Sequence, residues 1–343
     1  MGTARRLTLS ALALLVVHGW PNLAASDPGT CRNAILRHTG KLQATTLKAM
    51  QKCEDGVLQG KRPSSFDCRG DAKTMAMIAK AEGKLRAGIG KACGGANKTC
   101  NAADSGPDAD DPLLAIGWDI GACPDLARSG CGAAIADCGD VTDCLACAVG
   151  AATTVPLALV YSGRALVPDA GVARCRRAIG KESVKALVAR AKAVERCWSN
   201  VGSGAAGFRA PCPSGDATGA TAAAIAKAAT RARAKICAAC GGADKACAGG
   251  DDLDPGTTAF PADCPDVTAP GGASCVAPVR TFDGLVACVD CVTGFATECL
   301  AALETPWGGA YPPTCNAGCG NGRREGAEAC DRGDDAACPG RCA

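Results

Sequence analysis

"CRNAILRHTGKLQATTLKAMQKC", residues 31–53, returns 144 residues later as "CRRAIGKESVKALVARAKAVERC", residues 175–197. Both stretches are bounded by cysteines, rich in Ala, Leu and basic residues, and free of proline. Their apolar side chains recur at the three-to-four-residue spacing of a helix with one buried face. Each predicts a helix, and together they predict a duplication.

The cysteines extend the repeat. Cys31, Cys53, Cys68, Cys131, Cys144 and Cys147 recur as Cys175, Cys197, Cys212, Cys275, Cys288 and Cys291 at the same offset of 144. Cys93 and Cys100 recur at 147 as Cys240 and Cys247, and Cys123 recurs at 141 as Cys264. Nine cysteines in matching order define a tandem duplication. Second helices are expected over 72–92 and 217–239, and third helices starting near Asp143 and Asp283, with those acids in N-cap position. A Gly-, Pro- and Asp-rich loop of roughly forty residues separates the second helix from the third, a length that needs anchoring.

Helix geometry restricts the pairing. Cys31 and Cys53 would stand about 33 Å apart on one helix and cannot bond. A helical hairpin brings Cys53 to Cys68 and Cys197 to Cys212, each closing a loop worth about 3 kcal/mol on the chain-entropy model. At its open end Cys31 meets Cys93 or Cys100, and Cys175 meets Cys240 or Cys247. "CGG" at Cys93 and again at Cys240 marks the end of the second helix, with glycine in the left-handed position after it. Parity adds a further bridge. The first repeat holds ten cysteines, the second eleven and the tail five. At least one link or thiol must therefore leave the second repeat, and Cys299–Cys315, 16 residues apart, is the expected one.

Composition and the N-terminus set the compartment. The chain has 343 residues, 26 cysteines and 3% aromatic residues. Bulky core-forming side chains are scarce, and disulfides supply what burial cannot. "MGTARRLTLSALALLVVHGWPNLAAS" has a basic start, an apolar run and small residues near Ala25, the pattern of a secretory signal peptide cut after Ala25 or Ser26. Ser26, not Cys, follows "LAA", which points to release rather than lipid anchoring. Removing the signal takes the formal charge from +3 to +1, no basis for nucleic-acid binding. No later stretch is expected to span a membrane.

Charge is sorted along the chain. Residues 31–92 carry 13 basic and 5 acidic side chains, and 174–235 carry 13 and 3. Residues 104–143 carry 9 acids against one base, and 244–304 carry 10 against two. Each repeat is a basic hairpin followed by an acidic cap. Mutual neutralisation is the plainer account; a basic face for an anionic glycan is the sharper one. The aspartate runs Asp108, Asp110, Asp111 and Asp251, Asp252, Asp254 are calcium candidates by ligand type, although neither has EF-hand spacing and local loop capping explains them as well.

Catalytic patterns are absent. "GGANKT" lacks the Lys position of a phosphate loop, since Lys98 stands three residues after Gly95. The Cys-x-x-Cys pairs 144/147, 237/240 and 288/291 are read as structural disulfide cysteines rather than zinc or redox sites. Outside the signal the sole histidine is His38, on a basic helix with no evident partners. The expectation is a non-enzyme with no cofactor beyond calcium.

"CGNGRREGAEACDRGDDAACPGRC", residues 319–342, resembles the Myxococcus cysteine-rich repeat of secreted and surface proteins of myxobacteria. The resemblance rests on Cys319, Gly320, Asn321, Gly322, Glu325, Glu328, Cys330, Asp331, Gly333, Cys338 and Cys342. Members continue with further cysteines, so a truncated module is expected. The two large repeats resemble uncharacterised cysteine-rich helical segments of secreted bacterial proteins. The expected organisation is a signal peptide (1–25), helical repeat one (26–165), helical repeat two (166–312) and a small disulfide-rich module (313–343). The fold is mainly α, two disulfide-stapled repeats with long irregular loops. The function is a secreted structural or adhesive one, alternatively calcium or anionic-glycan binding, with cell-surface polysaccharide as candidate partner.

Overall fold

In the computed structural model of the chain, residues 27–101, 103–126, 129–163, 169–247 and 250–315 are described. The segment read as a signal peptide (1–25) and the motif that resembles the Myxococcus repeat (319–342) lie outside them. The described residues are mainly helical, with only isolated β-bridges. Repeat one contributes α1 (Pro28–Leu58), α2 (Ala72–Cys93), the short α3 (Leu113–Ile116) and α4 (Cys138–Val160). Repeat two contributes α5 (Ala170–Gly202), α6 (Ala220–Cys240) and α7 (Phe282–Glu304).

Local chemistry sets the helix starts. Asp27, Asp71 and Asp169 accept from the backbone N–H of Gly29, Thr74 and Val172, satisfying donors that a helix leaves open. The third helices begin earlier than expected from Asp143 in repeat one, because a capping box starts α4. Asp137 accepts from the N–H of Asp140 at 2.9 Å, and the Asp140 carboxylate accepts from the N–H of Asp137 at 3.3 Å. Asp143 lies inside α4 and pairs with Arg86 instead. In α7 the cap is Thr281, which accepts from the N–H of Gly284, and Asp283 sits in the first turn.

Eleven disulfides take up every described cysteine. Cys53 joins Cys68 and Cys197 joins Cys212 across the hairpin turns. Cys31 joins Cys93, and Cys175 joins Cys240, at the open ends. Cys299 joins Cys315 with 5.4 Å between their Cα atoms. The Cys-x-x-Cys pairs split: Cys144 and Cys147 bond Cys123 and Cys131, and Cys288 and Cys291 bond Cys264 and Cys275. Cys237 bonds Cys247 while Cys240 bonds Cys175. The shared Cys100 and Cys247 take the cysteines peculiar to each repeat, Cys138 and Cys237. The long loops are thereby tied to helices.

Equivalent helices face each other. α1 packs on α5, and α4 on α7. α1 and α5 run antiparallel: Gly40 lies against Glu195 near the end of α5, while Tyr161 spans from Asp55 near the end of α1 to Gly180 near the start of α5. The exchange is reciprocal. Leu157, Leu159 and Val160 of α4 join the cluster containing Ile179, Leu187, Leu285 and Val292 of repeat two. Phe295, Leu300 and Leu303 of α7 join the cluster of Ile35, Leu85, Leu145 and Val149 of repeat one. Such like-on-like contact is the geometry of a two-fold pair. The boundary near 165 separates the repeats in sequence but not in packing.

The expectation that no stretch after the signal has the length of a membrane span is corrected. α4 and α7 each run 23 residues and contain an apolar stretch with mean hydropathy of 1.7 and 1.6, long and apolar enough to cross a bilayer by those criteria. Within the fold 61% and 67% of these apolar windows are buried, so here they are the central core helices. Ala, Thr and Cys in place of Leu and Phe disguised their length.

Candidate functional site

The two "CGG" turns and the aspartate runs form one device in each repeat. The second glycine takes the left-handed conformation, Gly95 at φ 55° and Gly242 at φ 54°. The first, Gly94 or Gly241, has ordinary φ, but a Cβ there would collide with the carbonyl of Thr99 or Ala246. Against these turns the aspartate runs fold back. Asp111 donates its N–H to the Cys93 carbonyl at 2.7 Å, and Leu253 donates to the Cys240 carbonyl at 3.1 Å.

The calcium candidates are therefore largely occupied by backbone. Asp110 accepts from the N–H of Asn101, Asp251 from Ala243 and Asp254 from Gly256. Asp111 is buried, and Asp108 sits in a single 3-10 turn. Burial, with the Asp137 and Asp104 charges, holds the Asp110 carboxyl above the usual carboxylate range. Among the described residues, carboxylates alone converge at Asp244, Asp251 and Asp252; Asp244 was not anticipated from sequence. The other metal-like groupings use Cys31, Cys93, Cys100 and Cys138, whose sulfurs are committed to disulfides. Asp108, Asp110 and Asp111 form no oxygen cluster, and Asp254 stands apart from the trio.

The basic hairpins are more orderly. A groove of about 720 Å³ between α1 and α2 is lined by Lys41, Lys80 and Lys84, with His38 and Gly88. Between α5 and α6 a groove of about 510 Å³ is lined by Lys185, Lys227 and Arg231. These are the same positions under the repeat offsets, so three cations recur around one concave surface. Lys185 pairs with Glu182 at 2.8 Å; the other five make no ion pair among the described residues. The His38 ring covers Gly88, and burial together with Arg37 and Lys41 lowers its pKa. Its side-chain neighbour is Arg37, at 3.4 Å, and no carboxylate orients the ring.

Other charges join basic hairpins to acidic helices: Arg86 to Asp143 at 2.8 Å, Arg233 to Asp283 at 2.6 Å, and Arg190 to Asp290 and Glu298 at 3.2 and 3.1 Å. A buried acid went unnoticed in the sequence. Glu304, the last residue of α7, is 6% exposed. Burial and the nearby Glu195 charge raise its carboxyl well above the usual range. Glu195 is itself raised by burial, against the pull of Lys192, Arg196, Lys41 and Arg37. An isolated Glu after an alanine-rich helix gives no signal of this kind.

A scan against protein-family models, a search of curated proteins and a search of solved structures each return no match for the chain.

Proposed function

We propose that the chain is a secreted, non-catalytic structural or adhesive module of the cell exterior. The disulfide network carries this reading: every described cysteine is bonded, and the loops are fastened to helices that few aromatic side chains support. So many disulfides fit an oxidising, extracellular environment. The signal-like segment 1–25 and the Myxococcus-type motif at 319–342 support the same assignment. Thiol labelling of the denatured, unreduced mature chain should find at most two free cysteines, and eight or more would sink the reading.

The recurrent basic grooves favour one ligand class, an anionic glycan. Three cations repeated on a concave helical surface match a polymer of regularly spaced carboxylates or sulfates. The calcium alternative has weaker support, since the aspartate runs are engaged as loop straps. The mature chain should be retained on an immobilised polyuronate and released by salt, because exposed charges are screened. Replacing Lys80, Lys84, Lys227 and Arg231 by Glu should abolish retention. Retention that survives this change would discard the glycan reading.

A further inference from the structure

The duplication contains its own control experiment, because one site is filled in repeat two and open in repeat one. In repeat two Arg190 leaves α5 and lays its guanidinium against Gly294 of α7, where an added Cβ would stand 2.8 Å from Nη2. It is held there by Asp290 and Glu298. At the offset of 144 the same four positions in repeat one are Thr46, Gly150, Ala146 and Thr154. The arginine and both of its carboxylates are absent together. At Gly150 an added Cβ meets nothing within 4 Å. What remains is a cavity of about 560 Å³ bounded by α1, α2 and α4, within the usual range of small-molecule sites.

Its walls are chemically graded. Met75, Ile78 and Glu82 of α2 lie at helical spacing along one wall, Met75 and Glu82 about 10 Å apart. Cys147, Gly150 and Thr154 of α4 run along the opposite wall over a similar length. Met50 and Leu157 add to the apolar lining. The hydroxyl of Thr46, a residue only 6% exposed, has no hydrogen-bond partner and lines this space. A buried polar atom left without a partner is costly unless something occupies the site. Arg69 stands at one end, its guanidinium donating to the Thr154 hydroxyl at 2.6 Å. Glu82 stands toward the other end, with Ser129. The counterpart of Arg69 in repeat two is Pro213, so this cation belongs to the open site alone.

We propose that the cavity of repeat one is a binding site for a small linear monocarboxylate. The carboxylate meets Arg69, the apolar chain lies between α2 and α4 over Gly150, and Thr46 serves an oxygen carried along the chain. The acid at the far end excludes a second carboxylate. Loss of the guanidinium plug and its two acids removes the charges that would otherwise oppose an apolar chain.

The test titrates the full mature chain, disulfides intact, by calorimetry with octanoate, octanol, octanedioate and a mid-chain hydroxyoctanoate. The last should bind at least as tightly as octanoate, because its hydroxyl meets Thr46. Octanoate should bind, and both octanol and octanedioate should bind more weakly. Gly150→Leu fills open space and adds helix propensity, so it should fold as well as the parent while binding octanoate at least about tenfold more weakly. Arg69→Gln, at an exposed position, should cost octanoate about tenfold and leave octanol unchanged. Absence of octanoate binding, equal binding by Gly150→Leu, or equal affinity for octanoate and octanedioate would each overturn the proposal.

Discussion

At the scale of single residues, burial decides which charges matter. Arg190 and Glu298 are 14% and 13% exposed, so removing Arg190 would strand Glu298 away from water, a loss of about 3–5 kcal/mol for fully buried pairs. Removing Glu298 instead leaves Arg190 its bond to Asp290. Arg86 and Asp143 are 50% and 66% exposed, and such a pair contributes at most about 1 kcal/mol. Among the described residues Glu304 has no such cationic partner to offset its burial, and Glu195 adds repulsion. Its folded pKa lies above its unfolded one, so the fold holds a proton that the unfolded chain releases. Stability is therefore undiminished below the unfolded value and falls as pH rises through the interval between the two. His38 works in the opposite sense, since its lowered pKa penalises the fold as pH drops below the ordinary histidine value. Comparing Glu304→Gln with the parent at each pH cancels the His38 contribution. The variant should melt higher than the parent at pH 8 by about 2–4 °C, with the gap closing as pH falls below the ordinary glutamate value. An equal offset at pH 8 and below that value would show that burial does not raise the folded Glu304 carboxyl above its unfolded value.

At the scale of elements, α1, α2, α5 and α6 were legible because each carries a full helical period without proline, and hairpin geometry then left few partners for its cysteines. The hairpin pairs 53/68 and 197/212 and the parity bridge 299/315 are the ones in the structure. The start of α4 was misjudged because several aspartates could cap it. Only the reciprocal bonds of Asp137 and Asp140 distinguish them. The glycine turns were half legible: glycine was expected in the left-handed position, but which glycine depends on carbonyls that approach from a distant loop. This separates two kinds of glycine experimentally. Gly94→Ala and Gly241→Ala, which drive a methyl into a backbone carbonyl, should destabilise by roughly 1–3 kcal/mol. Gly83→Ala, mid-helix with open space around it, should stabilise by roughly 0.5–1 kcal/mol. Denaturant unfolding of the three variants measures this, and equal effects would contradict the turn geometry.

At the scale of the whole molecule, the duplication was plain in the sequence while its consequence was not. Cysteine register shows two copies but cannot show which faces meet. The basic grooves were half visible, as a charge excess on two hairpins; their concavity needed α1 against α2 and α5 against α6. The cavity of repeat one was invisible, because it consists of side chains that are missing relative to the other copy. The reciprocal packing makes a final prediction. The end of α4 is buried in repeat two and the end of α7 in repeat one. Residues 27–163 alone close all ten of their cysteines internally, yet leave Leu157, Leu159 and Val160 without cover. Exposed apolar faces of this kind drive association, and a two-fold partner with the same face is available in a second copy. This fragment should sediment as a homodimer. Its interface would be looser than the natural one, since Ala151 replaces Phe295 at the equivalent position, and lost aromatic volume leaves a cavity. Restoring the ring with Ala151→Phe should tighten the dimer by about tenfold or more. A fragment that is helical, fully disulfide-bonded and monomeric at tens of micromolar would show that the repeats are stable apart and that their contact contributes little to the fold.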